Sequence, residues 1–482
     1  MSDAQAMILA YLQTAGPEIA MAVGAMLLLM FGVATGDRAM RLVSIAAIAL
    51  MVFAAGLVVD GSARHGVAFH NGFIVDSFSD FVKIVVLGAS SISLMMSIAF
   101  LNREKLGRFE FPVLLVLATL GMMMMVSAND LISLYVGLEL QSLPLYVLAA
   151  FNRDSVRSTE AGLKYFVLGA LASGLLLYGA SLIYGYSGTT NFSGIMFALH
   201  GGQAPVGLII GLVFLCSGLA FKVSAVPFHM WTPDVYEGAP TPITAFFSAA
   251  PKFAAMALFI RVLMGPFGTM VAEWQQVIAF IAAASMILGA FAAIGQTNIK
   301  RLMAYSSIGH VGYALMGLAA GTQLGVRNVL IYMTIYIVMT LGTFVVILAM
   351  RRAKGMVEDI SELAGLSRTQ PLMALALAIL MLSLAGIPPL AGFIAKFYVF
   401  QATLDAGLLW LAIIGGLTTV VGSFYYLRIV KVIYLDAPKG AFEDTLGWEM
   451  RLTLLASSAI TLLFVLYPEP LMKAAALAAS AF

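Results

Sequence analysis

Charge is the first thing this sequence lacks. Only 10% of its 482 residues are Asp, Glu, Lys or Arg, against about 25% in soluble globular chains. Net charge is +2 and the basic residues form no patch, so no nucleic-acid partner is expected. There is one cysteine, Cys216, inside an apolar run. It excludes an intrachain disulfide, and it excludes a self-contained iron–sulfur cluster, which needs four ligands, mostly thiolates. The five histidines, His65, His70, His200, His229 and His310, are scattered without a helix-spaced pair for haem or zinc. No glycine-rich phosphate loop precedes a helix. Met1–Gly16 carries Asp3 and no Lys or Arg, unlike a secretory signal peptide. The chain is therefore expected to hold no cofactor or metal of its own.

What it has is hydrocarbon. The sequence is 61% hydrophobic, and apolar runs near 20 residues recur from end to end, the length that crosses a bilayer. The expected fold is an all-α polytopic membrane protein, a single membrane domain over 1–482. Fourteen spans are expected, at roughly 17–35, 40–60, 76–100, 111–127, 130–151, 160–186, 206–236, 242–263, 275–296, 302–320, 327–350, 371–403, 408–430 and 451–469. Seventeen loop Lys and Arg residues fall on one side of this arrangement. Only Arg64, Arg261, Arg327 and Lys473 fall on the other. The rule that basic loops stay inside then places both termini outside, which needs an even number of spans.

Against that background the charges within spans stand out: Lys83, Lys164, Lys222, Lys252, Lys396 and Glu139. A lysine facing hydrocarbon costs roughly 2.5–3.5 kcal/mol on insertion scales. Five would cost on the order of 15 kcal/mol, as much as the net stability of a fold, so most must face inward. Lys83 and Lys164 lie near span ends, where snorkelling or a structural pair accounts for them. Lys222 belongs to GLAFKVSAVPFHMWTPDVYEGAPTP, where Pro227 interrupts an apolar run. A break is tolerated at membrane depth only where the freed backbone groups line a cavity or meet protein. LMLSLAGIPPLAGFIAKFYVF repeats the pattern with Pro388, Pro389 and Lys396. The broken spans are the seventh and twelfth; an odd offset of five means that they run oppositely through the membrane. That points to inverted five-helix repeats, spans 4–8 (111–263) and 9–13 (275–430), with a site near their interface. His310, a third of the way into span ten, suits proton relay between lysines and equally a hydrogen-bonded packing role. His229 is expected to satisfy backbone freed at the break, and Trp231 to be an interface aromatic.

KVSAVPFHMWTPDVYEGAPTP and KRLMAYSSIGHVGY resemble two signatures of the antiporter-like membrane subunits of proton-pumping NADH:quinone oxidoreductase, respiratory complex I. YEGAPTP, and lysine in GFIAKFYVF, are most similar to its N branch. The resemblance spans the whole chain. It implies fourteen helices with the seventh and twelfth discontinuous, Glu139 paired with Lys222, and a hydrated path through Lys252 to Lys396, with His310 at a polar relay position. It also implies a bacterial inner membrane and proton translocation driven by quinone reduction elsewhere in the complex. NAD, FMN, iron–sulfur clusters and quinone would sit in partner subunits, and the neighbours would be a second antiporter-like subunit and a small glutamate-bearing membrane subunit. Independently of the family, a carboxylate about 4 Å from a buried ammonium contributes about 4 kcal/mol at an effective dielectric of 20. Moving Glu139 relative to Lys222 would thus switch the lysine between holding and releasing a proton. The alternatives left open are a stand-alone or Mrp-type cation/proton antiporter, a photosynthetic plastoquinone-linked counterpart and a non-pumping scaffold.

Reporter fusions after Met1 and Phe482 should both signal from the periplasmic side. A cytoplasmic signal from either would break the even count.

Overall fold

The computed structural model describes residues 11, 14–62, 65–199, 205–353, 355–443 and 446–482. Met1, Arg64, His200 and Lys354 lie outside them. Twenty α-helices with described bounds follow in order among these residues: α1 Gly16–Thr35, α2 Met40–Gly61, α3 Ser77–Arg103, α4 Glu110–Val126, α5 Leu131–Ala149, α6 Val156–Ser187, α7 Phe192–Ala198, α8 Val206–Val223, α9 Trp231–Gly238 and α10 Thr241–Ser248. The second ten are α11 Ala250–Met264, α12 Val271–Ile294, α13 Ile299–Leu318, α14 Gln323–Ala349, α15 Leu366–Thr369, α16 Pro371–Ala385, α17 Ala391–Asp405, α18 Leu409–Leu435, α19 Trp448–Leu463 and α20 Glu469–Ala479. The chain is an all-helical, multi-pass membrane fold. Eleven helical segments among the described residues are long and apolar enough to cross a bilayer. The apolar α4 and α16 are shorter, 17 and 15 residues; at 1.5 Å per residue they reach about 22–26 Å, short of a hydrocarbon core of about 30 Å.

Polar residues at the helix ends set the boundaries. Asp76, Asp130, Ser155, Asn298 and Thr322 each accept a backbone N–H of the helix they precede, satisfying donors the helix itself leaves free. Two short hairpins lie between helices: β1 Gly66–Ala68 with β2 Phe73–Val75, and β3 Arg351–Arg352 with β4 Gly355–Met356. Helical periodicity gives no sign of either.

The apolar segment of α10 and α11 is wholly buried and that of α14 nearly so, while α1, α2, α6 and α18 turn most of their surface outward. Side chains such as Met26, Met30, Leu171 and Val420 are exposed there, as a lipid-facing surface requires. α13 is buried along almost its whole length, so it can carry Lys300, Arg301 and His310 without presenting them to lipid.

Two stretches differ from expectation. The span at 242–263 is two helices, parted at Ala249 (φ −112°, ψ −94°). Pro251 in the first turn of α11 accounts for the split, since it has no N–H to bond back into α10. The last span ends at Leu463 rather than 469, and a further helix, α20, packs against α3 and α14.

Lys83 does not snorkel. Its ammonium lies 2.8 Å from Glu18 Oε1 and 5.1 Å above the Phe73 ring, with both charged side chains buried. The pair joins α1 to α3. Lys83→Met would strand a buried carboxylate and should destabilise the protein by about 3–5 kcal/mol. The double change Glu18→Leu/Lys83→Met should recover most of that loss in a thermal unfolding assay. Equal instability of single and double variants would show that the two groups are not coupled.

Candidate functional site

Glu139, Ser142 and Tyr146 are three and seven residues apart on α5, so they share one face. Ser173 of α6 donates its hydroxyl to Glu139 Oε1. Lys222, in the last turn of α8, donates to Ser142 Oγ at 2.7 Å and to Tyr146 OH at 3.5 Å. The expected Glu139–Lys222 ion pair is not made in this structure: no ion pair within 4.0 Å joins them among the described residues. The lysine is met instead one turn further along α5, by the hydroxyl of Ser142.

The interruption after α8 explains how Lys222 is presented. Ser224 ends the helix in the left-handed region (φ 67°), and the chain turns before α9 begins at Trp231. The Phe221 carbonyl, which also takes the Ser224 N–H, accepts the Trp231 indole N–H at 3.1 Å, and that ring stacks on Tyr165 at 4.3 Å. Trp231 is 3% exposed; it is a buried clamp on the break, not an interface aromatic. The Val226 N–H goes to Ser285 Oγ at 2.9 Å. His229, the residue expected to hydrogen-bond here, interacts with the Pro227 backbone at the break, while its Nδ1 is buried without a partner.

Lys252 enters from the first turn of α11. Its ammonium lies 5.0 Å above the Tyr236 ring and donates to Ser307 Oγ on α13. Tyr236 and Tyr336 both approach Ser307, yet their hydroxyls, with that of Thr340, are buried without a hydrogen-bond partner. One turn beyond Ser307 stands His310, 3% exposed. Its Nδ1 meets Tyr332 OH at 2.6 Å and its Nε2 meets Tyr426 OH at 3.0 Å.

Lys396 completes the series from α17. Its ammonium donates to the Ala385 carbonyl at 3.1 Å, the last residue of α16, and sits 4.7 Å above the Tyr313 ring. Between His310 and Lys396 is a cavity of about 10 Å³, edged by the hydroxyls of Tyr313, Thr418, Thr419 and Tyr426. That is about the space of one water.

The structure buries Lys222, Lys252, His310 and Lys396 and half-buries Glu139, and among their surroundings are groups the sequence reading did not single out: Ser142, Tyr146, Ser173, Tyr236, Ser307, Tyr332 and Tyr426. Helical spacing from Glu139 and His310 was the available signal for Ser142, Tyr146 and Ser307. The remaining four lie on other helices, and only packing reveals them. Three other lysines meet carboxylates: Lys83 meets Glu18, Lys164 meets Glu160 and Asp234 at 2.7 Å each, and Lys300 meets Glu358 at 2.7 Å. Lys300, counted as a loop cation above, is buried. Among the described residues no three His, Cys, Asp or Glu side chains converge as metal ligands would.

Residues 128–422, which contain the whole series, match the family model described as NADH:quinone oxidoreductase/Mrp antiporter, TM. A protein of Parvibaculum lavamentivorans named NADH-quinone oxidoreductase subunit N is 59% identical, over 95% of each chain. Subunit N 1 of Rhizobium meliloti is 58% identical, over 98% of this chain and 99% of its own. Among solved structures, respiratory complex I from Thermus thermophilus with bound aureothin contains a chain similar at a TM-score of 0.82 and 31% identity. The match covers 95% of this chain and 98% of that one. The Mrp complex from Dietzia is similar at 0.82 and 25% identity, over 97% of each chain.

Buried hydroxyls without protein partners are where ordered water binds. A well-resolved map of the protein in its membrane assembly should show water hydrogen-bonded to Tyr236, Tyr336 and Thr340. A dry gap there would break the polar connection between Lys252 and His310.

Proposed function

This chain belongs to the subunit N family of NADH-quinone oxidoreductase, an antiporter-like membrane subunit of complex I, and we propose that it moves protons along Glu139, Lys222, Lys252, His310 and Lys396. The observation that carries this reading is the partner each lysine has. Lys83, Lys164 and Lys300 meet carboxylates, which fix the charged form. Lys222, Lys252 and Lys396 donate to hydroxyls or a backbone carbonyl, and no carboxylate lies within ion-pair distance of them among the described residues. A neutral oxygen can accept from an ammonium and equally from an N–H of the free amine, so these three are not committed to one protonation state.

The switch in this scheme is Glu139. Brought to about 4 Å from Lys222 it would favour the ammonium by about 4 kcal/mol at an effective dielectric of 20; withdrawn to Ser173 it leaves the lysine freer to release its proton. Moving one charge against the membrane potential costs about 2.3 kcal/mol per 100 mV, so the swing is large enough. The released proton would pass by hydroxyls and water to Lys252 and Ser307. His310 would take it at one ring nitrogen and lose one from the other, between Tyr332 and Tyr426. It would reach Lys396 across the small cavity that they share.

The finer architecture belongs to this proposal. It has fourteen spans, the seventh and twelfth discontinuous at Pro227 and Pro388–Pro389, inverted repeats over 111–263 and 275–430, and both termini periplasmic at a bacterial inner membrane. Supporting it are the helix interruptions at 224–230 and 386–390. NAD, FMN, iron–sulfur clusters and quinone would be held by partner subunits, with quinone reduction there as the energy source. The membrane neighbours would be a second antiporter-like subunit and a small glutamate-bearing subunit.

In an assembled complex, Glu139→Gln and Lys222→Met should each lower quinone-linked pumping by roughly tenfold, about 1.4 kcal/mol. The double variant should lose far less than the product of the two, because one interaction is removed twice. Lys222→Arg keeps the charge but does not release a proton and should fail almost as badly as Lys222→Met, with assembly verified for every variant. Wild-type pumping by Lys222→Arg would leave the lysine only a fixed-charge role.

A further inference from the structure

One charged cluster lies outside the proton route. Asp234 of α9 stands between two cations, Lys164 of α6 at 2.7 Å from its Oδ2 and Arg301 of α13 at 2.7 Å from its Oδ1. Each cation also has a second carboxylate. Lys164 meets Glu160, one turn back on its own helix, at 2.7 Å, and Arg301 meets Glu237, again on α9, at 3.0 Å. Two carboxylates therefore tie α9 to α13. Among the described residues Asp234 alone ties α9 to α6 by an ion pair.

One face of α9 lies along α6. Trp231, Asp234 and Gly238 are three and four residues apart, so they share it. Trp231 stacks on Tyr165, the neighbour of Lys164. An added Cβ at Gly238 would lie 2.5 Å from the Arg157 carbonyl oxygen and 2.8 Å from Ala161 Cβ, so glycine lets the end of α9 close onto α6. Off that face, Tyr236 is buried with its ring 5.0 Å from the Lys252 ammonium. Further along α6 is Ser173, the partner of Glu139, and further along α13 is Ser307, the partner of Lys252. α9 is thus held between the helices that serve Glu139 and Lys252.

The ion pairs of Asp234 add little to stability. The side chains of Asp234, Lys164 and Arg301 are 34%, 42% and 31% exposed, and a polar cavity of about 180 Å³ lined by Glu160, Lys164, Asp234 and Glu237 adjoins them. Pairs so exposed contribute little, and neither cation would lose its last carboxylate with Asp234. What Asp234 supplies is the link between helices.

We propose that Asp234 is a positioning residue: bridging Lys164 and Arg301, it fixes α9 between α6 and α13, so that Tyr236 stays against Lys252 while Ser173 stays against Glu139. The inference rests on the proton route proposed above. Without the bridge, movement at Glu139 is no longer matched at Lys252, and quinone reduction elsewhere continues with fewer protons moved.

The test is the number of protons moved per quinone reduced by the assembled complex in liposomes, with the unfolding temperature measured alongside. Asp234→Asn should lower that ratio roughly threefold, the scale of one or two partly exposed ion pairs, with the unfolding temperature within about 3 °C of wild type. Lys164→Met cuts the same link from α6, leaves Arg301 both carboxylates and should match it. The double variant should be no worse than either single, because one link is removed twice. Asp234→Glu should restore most of the ratio. Glu237→Gln removes the same charge beside Arg301, leaves the bridge whole and should pump like wild type. A wild-type ratio in Asp234→Asn or Lys164→Met would overturn the proposal. So would equal losses in Asp234→Asn and Glu237→Gln, which would reduce the effect to local charge, or a large fall in unfolding temperature, which would make Asp234 a stability element. Lys222→Met separates the two ideas: if it impairs pumping while Asp234→Asn does not, the bridge alone fails, whereas wild-type pumping by Lys222→Met removes the route itself.

Discussion

An ammonium group inside a bilayer has to find oxygen within the protein, and this requirement organises the molecule. Leaving it unmet costs several kcal/mol per lysine, comparable to a fair share of a fold's net stability. Every buried lysine discussed here meets that demand, but with different chemistry. Where a carboxylate answers, as for Lys83 and Lys300, the pair ties elements together and its charge is settled. Where Ser142, Ser307 or the Ala385 carbonyl answers, the same demand is met without a counter-charge. In the proposed scheme the division between structural and mobile protons follows from the partner, not from burial, which is nearly complete in both groups.

The helix interruptions are part of the same arrangement. Each frees backbone groups that must be bonded again, and the repairs are specific. Trp231 and Ser285 serve the first break. At the second, the Gly392 N–H reaches Ser383 Oγ at 2.9 Å, and any Cβ at Gly392 would lie 1.9 Å from the Ser383 carbonyl oxygen. Only glycine allows the two half-helices to close up that far. A lysine then supplies the remaining donor from one turn inside α17.

Much of this was legible in the sequence, for physical reasons. Apolar runs name the helices because lipid tolerates little else, and Pro227, Pro388 and Pro389 mark the interruptions because proline lacks a donor. Pro251 carried the same signal at the α10–α11 junction and passed unread, hidden in an uninterrupted apolar run. The hairpins at 66–75 and 351–356 are too short to show alternation. Trp231 was misread because its composition fits a membrane interface, while its place on Phe221 and Tyr165 depends on a fold that brings α6 beside the break. Likewise, spacing could nominate Glu139, Lys222, Lys252, His310 and Lys396, but not that Glu139 and Lys222 stand apart with separate hydroxyl partners. That distinction rests on tertiary packing, which a one-dimensional pattern does not carry.

The two interruptions are not mechanically alike. Lys222 grips side chains of a different helix, α5, so losing its proton would weaken an attachment between neighbouring rods and let them slide. Lys396 grips the Ala385 carbonyl at the end of α16, inside its own interrupted element, so the same event there would slacken the elbow joining α16 to α17 and alter its bend. One chemical act would thus be expressed as translation in the first half of the chain and as flexion in the second. A neighbouring subunit touching both halves would feel the two movements as different signals.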